Sequence, residues 1–343
     1  MRERGLAGPL PLAEAAAHLA SPGALEAHGA LAGVGALYVD ADAPAEHPGD
    51  AAVAAARATL ARLPCPSIAV CRRRPDAAAA DLLDRFDVVA ASEAEAAPVL
   101  ASATRAPIAA AVLVQLLRLG ERLSRHDALV AESLAYATLQ AGPEFAAWRR
   151  DHPQRLPTAA SAAPPVLVER SDGRLAITLH RPEKHNAFSA AMRDALAEAL
   201  VVGVADPSIA EIVLAGAGPS FCSGGDLDEF GTLPDPATAH LVRTTRSVAA
   251  LLVACSDRTR AIVHGACVGA GVELPAFARR VSARAGAFFQ LPELSLGLVP
   301  GAGGTVSLPR RIGRQRTAWL ALSGERIGAE TALAWGLVDE VVA

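Results

Sequence analysis

Apolar residues recur along this chain in two rhythms. In its first 92 positions, short runs of branched and small apolar residues alternate with stretches at helical spacing. ALYVDAD (36–42), SIAVCR (67–72) and DVVAAS (87–92) read as buried strands, and 50–63 and DAAAADLLDRF (76–86) as the helices between them. Strand–helix–strand alternation predicts a parallel sheet. From about 93 to 150 the pattern is helical throughout. Pro107 and Pro143 suit the first turn of a helix, where a missing N–H goes unused anyway. DHPQRLPTAASAAPP (151–165) has four prolines and no period, and reads as a linker.

Beyond the linker, glycine-rich turns become frequent. VLVERSDGRLAITLHRP (166–182) predicts two strands around Asp172-Gly173, and SAAMRDALAEALVVGVAD (189–206) a helix with Ser189 as its N-cap. EIVLAGAG (211–218) is a buried strand entering a glycine loop. Residues 236–255 read as one long helix, and RAIVHGACVGAGVEL (260–274) as strand, turn and helix start. AETALAWGLVDEVVA closes the pattern with a helix, a stop at Gly336 and a short strand.

Composition narrows the classes. A length of 343 residues suits about two domains, and 52% hydrophobic against 20% charged residues is far from the profile of a disordered chain. With 4% aromatic residues, Ala, Leu and Val must build the core. A net charge of −4 gives no basic footprint for nucleic acid and no cationic field for an anionic membrane. No uncharged apolar run is long enough to span a bilayer, and Glu14 interrupts the apolar stretch of the N-terminus, against a signal peptide. Five cysteines (Cys65, Cys71, Cys222, Cys255, Cys267) without a CxxC pair disfavour a disulfide framework or a zinc site; the expected location is cytoplasmic.

Two strand-to-glycine turns carry the chemistry, FCSGGDL (221–227) and HGACVGAGVEL (264–274). Glycines there let backbone approach a ligand and aim N–H groups into a cleft, and two such groups can converge on one oxyanion. Neither turn fits a dinucleotide fingerprint, a P-loop or a nucleophile elbow: the second reads GxxxGxG, no GK[ST] follows, and Phe221 replaces the first glycine before Ser223. His264 reads as a satisfied core histidine. Glu273 and Glu293 each interrupt a glycine-rich apolar stretch. One such residue is ordinarily a solvated helix position; two together suggest carboxyls whose pKa is raised toward the working pH, as acid–base catalysis requires.

The order and spacing of RPEKHNAFS (181–189), FCSGGDLDEF (221–230), HGACVGAGVEL (264–274), FQLPELSLGLVPGAGGT (289–305), RRIG (310–313) and SGERIGAETALAWGLVDEVV (323–342) resemble the crotonase superfamily, the enoyl-CoA hydratase/isomerase family, over residues 166–343. The resemblance implies an α/β fold of the ClpP/crotonase ββα-spiral type and an acyl-CoA thioester as substrate, with coenzyme A carried on the substrate and neither cofactor nor metal. It implies enolate stabilisation by the backbone N–H groups of Gly225 and Ala270, and places Ser223, Asp226 and Lys184 toward CoA. Glu273 and Glu293 match the two hydratase glutamates, Glu273 as base toward water and Glu293 as proton donor to Cα. The implied reaction is hydration of a 2-enoyl-CoA. The alternatives are isomerisation, thioester hydrolysis, or a catalytically weak acyl-CoA-binding partner, and the assembly implied is a homo-oligomer, trimer or hexamer.

Four positions depart from the family pattern: Ala270 in place of the commoner Gly, His264 of Asn, Arg279 of Asp, and Asp228 where some members carry Lys. Pro275 also lies two residues past Glu273. The family's terminal helices are absent from their usual place, and residues 106–150 look like them. Residues 1–150 are thus expected to be a degenerate, shortened crotonase-like unit whose helices cap the site of residues 166–343.

Overall fold

The computed structural model describes residues 8–44, 49–153 and 163–343. Most of the linker expected at 151–165 lies outside the described residues, as do the first seven positions. The N-terminal half opens with β1 (Leu10–Pro11), α1 (Leu12–Leu19), α2 (Ala24–Ala27), β2 (Leu37–Asp40), α3 (Asp50–Leu60), β3 (Ser67–Val70), α4 (Ala77–Leu83) and β4 (Val88–Ala90). The strands form one parallel sheet in the order β1-β2-β3-β4, as the alternation predicts. Because successive strand side chains point to opposite faces, β3 serves two cores: Ala69 joins Leu19, Leu37, Leu60 and Phe86, while Ile68 and Val70 join the main core of the molecule.

Four helices follow: α5 (Glu93–Arg105), α6 (Pro107–Gly120), α7 (Arg125–Gln140) and α8 (Pro143–Asp151), with Pro107 and Pro143 in first turns as expected. Ser92 and Ser124 cap α5 and α7 by accepting from the amides of Glu95 and Asp127. No single helix among the described residues is long and apolar enough to cross a membrane; α5 and α6 together pass that test only as a pair bent by 114°.

The C-terminal half runs β5 (Val166–Ser171), β6 (Arg174–Leu179), α9 (Ala190–Ala205), β7 (Glu211–Gly216), α10 (Pro236–Thr245), α11 (Val248–Ala254), β8 (Thr259–Val263), β9 (Ala266–Val268), α12 (Ala270–Glu273), β10 (Arg280–Arg284), β11 (Phe288–Gln290), α13 (Gly304–Ile312), α14 (Arg314–Ser323), β12 (Ile327–Gly328), α15 (Ala329–Trp335) and β13 (Glu340–Val342). Two sheets result, β13-β10-β8-β7-β6-β5 and β12-β11-β9. Strands alternate between them: β8 then β9, β10 then β11, and after β7 the chain bridges Cys222 to Cys267 beside β9. The chain therefore winds as a spiral, each turn laying one strand in each sheet.

The expected single helix over 236–255 is two. Ser247 accepts from the amide of Ala250 and starts α11 afresh, so the chain bends at Arg246. His264 is half-buried rather than a core residue, and its Nε2 donates to the Gly218 carbonyl at 2.9 Å. The two halves share one core, running from Ile68 through Phe145 to Val338. A buried charge cluster also joins them: Asp87 takes Arg118 from α6, Arg314 from α14 at 3.1 Å, and both the hydroxyl and the amide of Ser67 at 2.9 Å. Trp319 on α14 donates to the Glu95 carbonyl of α5.

Candidate active site

The two glycine turns meet. A Cβ on Gly269 would lie 3.5 Å from the Gly224 Cα, and Phe188 bridges to Gly225 on the other side. Neither the Gly225 amide nor the Ala270 amide donates to an acceptor among the described residues. Gly225 sits under the Phe230 ring, which a Cβ there would strike at 2.5 Å. Ala270 is the first residue of α12, whose N-cap Gly269 has φ +49°. Replacing the commoner Gly by Ala at 270 leaves this amide in place, because its direction is set by Gly269.

Both turns open on a cavity of about 1260 Å³, and the expected glutamates line it. Glu273 is 2% exposed. Its Oε2 accepts from the amides of Ala302 and Gly304 at 2.7 and 2.8 Å, which leaves Oε1 without a partner among the described residues. Glu293 reaches Gly269, where a Cβ would come within 2.5 Å of its Oε1; with its positive φ, only glycine suits this position. The Glu293 Oε2 is buried and has no hydrogen-bond partner among the described residues. Burial, then the Glu293 charge, push the Glu273 carboxyl well above its ordinary range. Burial pushes Glu293 up to about 7. The pair thus holds a proton near neutrality. Two amide donors favour the charged form of Glu273, while the orphan oxygen of Glu293 favours the neutral one.

The other expected positions lie at the cavity mouth or beside it. Lys184 lines the cavity but pairs with Asp228 at 3.2 Å. Asp226 is 8% exposed, pairs with Arg181 at 3.0 Å and accepts from the amide of Asp228, so it serves the turn. The Ser223 amide donates to the His185 carbonyl. Among the described residues no group of three His, Cys, Asp or Glu side chains suits a metal ion.

The N-terminal half supplies the roof of the cavity. Leu129, Glu132, Ser133 and Tyr136 of α7, with Phe145 of α8, line it beside Glu273 and Glu293. Ser133 ties α7 to α10: its Oγ accepts from Arg243 Nε at 3.1 Å and contacts His240 Nδ1 at 2.9 Å. The Arg243 guanidinium also lies 4.7 Å from the Tyr136 ring centroid. The identity of these residues escapes the motif reading. One signal was available: Ala128, Glu132, Ala135 and Leu139 share the apolar stripe of α7, and a glutamate on that stripe is out of place on a solvated face.

The family model for enoyl-CoA hydratase/isomerase matches residues 169–343, half of the chain, and the chain belongs to that family. A Rhodobacter capsulatus protein named probable enoyl-CoA hydratase is 40% identical over 177 residues, 52% of this chain and 68% of the relative. The 1,2-epoxyphenylacetyl-CoA isomerase of Escherichia coli is 36% identical over 182 residues, 52% of this chain and 69% of the relative. A solved enoyl-CoA hydratase from Mycobacterium smegmatis is 34% identical over 53% of this chain and 71% of its own, with a TM-score of 0.49. The protein is an enzyme of the hydratase/isomerase family with the crotonase fold.

Proposed function

We propose that the protein adds water across the 2,3 double bond of an enoyl-CoA thioester. The observation that carries this reading is the pair of buried carboxyls, Glu273 and Glu293, beside two unoccupied amides in one cavity. A water between the carboxyls gives a proton to Glu273 as its oxygen bonds to Cβ. The double-bond electrons move onto the thioester oxygen, where the Gly225 and Ala270 amides hold the enolate. Glu293 then protonates Cα, and the proton on Glu273 returns to Glu293 as the product leaves. Each oxyanion donor contributes about 3 kcal/mol in the transition state. An isomerase can shuttle its proton on one carboxyl; the orphan oxygen of Glu293, suited to a neutral acid, favours the two-carboxyl reaction.

The experiment is hydration of crotonyl-CoA and longer enoyl-CoAs, followed by loss of the conjugated thioester absorbance. Glu273→Gln and Glu293→Gln should each lower kcat by about 10²–10⁴. Absence of turnover by the wild type at every chain length defeats the reading, and tight acyl-CoA binding without turnover then identifies a binding subunit.

The same reading takes residues 1–150 as a shortened copy of the same unit. Its four strands keep the sequential parallel order of β6, β7, β8 and β10, but Cys71-Arg72 and Ala91-Ser92 stand after β3 and β4 where the intact half has glycine turns. In this reading α5–α8 remain as the cap of the other half's site.

A further inference from the structure

The hydration chemistry uses two carboxyls, yet a third is buried in the same cavity wall. Glu132 on α7 is 3% exposed. Its Oε1 accepts from the Gly303 amide at 2.7 Å, and its Oε2 from the Thr305 amide at 2.9 Å and the Thr305 hydroxyl at 2.6 Å. The turn it holds is the one that holds Glu273. Along this turn the donors alternate: Ala302 and Gly304 point to Glu273, Gly303 and Thr305 to Glu132. Four successive amides are thus divided between two carboxylates, one from each half of the chain.

The turn runs into α13, whose first bonds go from the Val306 and Ser307 amides to the Gly303 carbonyl, and Glu132 and Glu273 take the amides that the helix start leaves free. Gly301, Gly303 and Gly304 lack side chains and lie close against Tyr136, Phe277 and Glu273, and Gly303 holds a φ of +101° that other residues rarely adopt. If Glu132 released the Gly303 and Thr305 amides, two buried donors would lose their partners and the turn would rotate toward new ones. Ala302 and Gly304 would rotate with it. The charged and titratable groups facing Glu132 are Tyr136 on its own helix, Arg243 on α10, Glu273 on α12, and Glu293; His240 meets the adjacent Ser133. None of them donates a hydrogen bond to Glu132 among the described residues.

We propose that Glu132 is a positioning residue: by holding alternate amides of the 301–305 turn, it keeps the Ala302 and Gly304 amides on Oε2 of Glu273 and turns Oε1 to the cavity. It touches no reacting atom, and acts through the turn. The inference rests on the hydratase reading for its kinetic consequence, but its structural content is measurable without turnover.

The test compares wild type with Glu132→Gln, Glu132→Asp and Thr305→Val. Carboxyl titration is followed by infrared difference spectroscopy, with Glu273→Gln identifying the Glu273 band. Glu132→Gln removes the charge and sets an NH2 against an amide donor; Glu132→Asp keeps the charge but is one methylene short. If Glu132 positions the turn, the Asp variant, which keeps the charge, deprives Glu273 of amide donors, and Glu273 titrates at a pH higher by about half a unit or more; in the Gln variant the loss of the Glu132 charge, which itself raises Glu273, offsets that rise. Thr305→Val, the mildest change, should raise the Glu273 titration by less. If Glu132 acts only through its charge, the Gln variant titrates lower and the Asp variant stays at the wild-type value, and the proposal falls. Unchanged titration with only a lower melting temperature shows a merely structural contact and also overturns it.

Kinetically, both Glu132 variants should lose at least about tenfold in kcat with KM held within about twofold, and the pH profile should move with the Glu273 titration. A wild type without turnover would sink the hydratase reading alone, since the titration still decides the role of Glu132.

Discussion

At the scale of single residues, the site sets stability against chemistry. Glu293 is neutral in both folded and unfolded protein below about pH 4.5. As pH rises toward 7 the unfolded carboxyl ionises while the buried one keeps its proton, so folding stability falls through that window and levels off above it. Glu293→Gln removes the penalty. The variant should therefore be more stable than wild type by about 3 kcal/mol at pH 8, the advantage vanishing toward pH 4.5. Urea unfolding across that range checks this; an equal advantage at every pH would contradict it. Lys184 poses a different conflict. Its partner Asp228 is about as exposed as Lys184 itself, a pair worth little on its own but one that competes with any anion at the cavity mouth. Asp228→Asn should lower KM for CoA thioesters about two- to tenfold with kcat unchanged, an effect that fades in high salt. A higher KM would assign Asp228 to substrate binding instead.

At the scale of elements, the roof depends on how α7 is fastened to α10. Ser133→Val removes the hydroxyl that Arg243 and His240 share and should lower stability by about 1–3 kcal/mol, while raising KM more than it lowers kcat. Thermal unfolding and steady-state kinetics separate this from a loss confined to kcat. Elements with a strong period were legible in advance. SIAV of β3 is a continuous apolar run bounded by proline and arginine, and Ser189 marks the start of α9. The second sheet was less so, since strands of two or three residues such as β9, β11 and β12 carry too few positions to show alternation. The break at Ser247 was hidden because apolar spacing continues across it; what ends α10 is a side-chain cap. Glu273 and Glu293 stood out as acids in apolar glycine-rich stretches. Glu132 did not, because its meaning lies in the amides of Gly303 and Thr305 and no local pattern can show them.

At the scale of the whole molecule, the halves are joined by one core and by the cluster around Asp87. Arg118, Arg314 and Ser67 all converge on that carboxylate, which is 1% exposed. Asp87→Ala would leave the largely buried Arg118 with only the Leu63 and Cys65 carbonyls and Arg314 with Glu121 and the Asp84 carbonyl, and should cost about 3 kcal/mol. Denaturant unfolding measures it, and a loss below about 1 kcal/mol would show that the cluster does not join the halves energetically. The direction of the chain adds a temporal consequence to this union. Glu132 precedes the Gly303 amide by 171 residues, so the roof leaves the ribosome before the floor it must cover. At about 5–20 residues per second, the carboxylate waits roughly 10–30 s for its donors. During that interval the nascent N-terminal half exposes the apolar face that later meets α13 and α14. The active site can close only after the chain has been made through Thr305, the last donor that Glu132 holds.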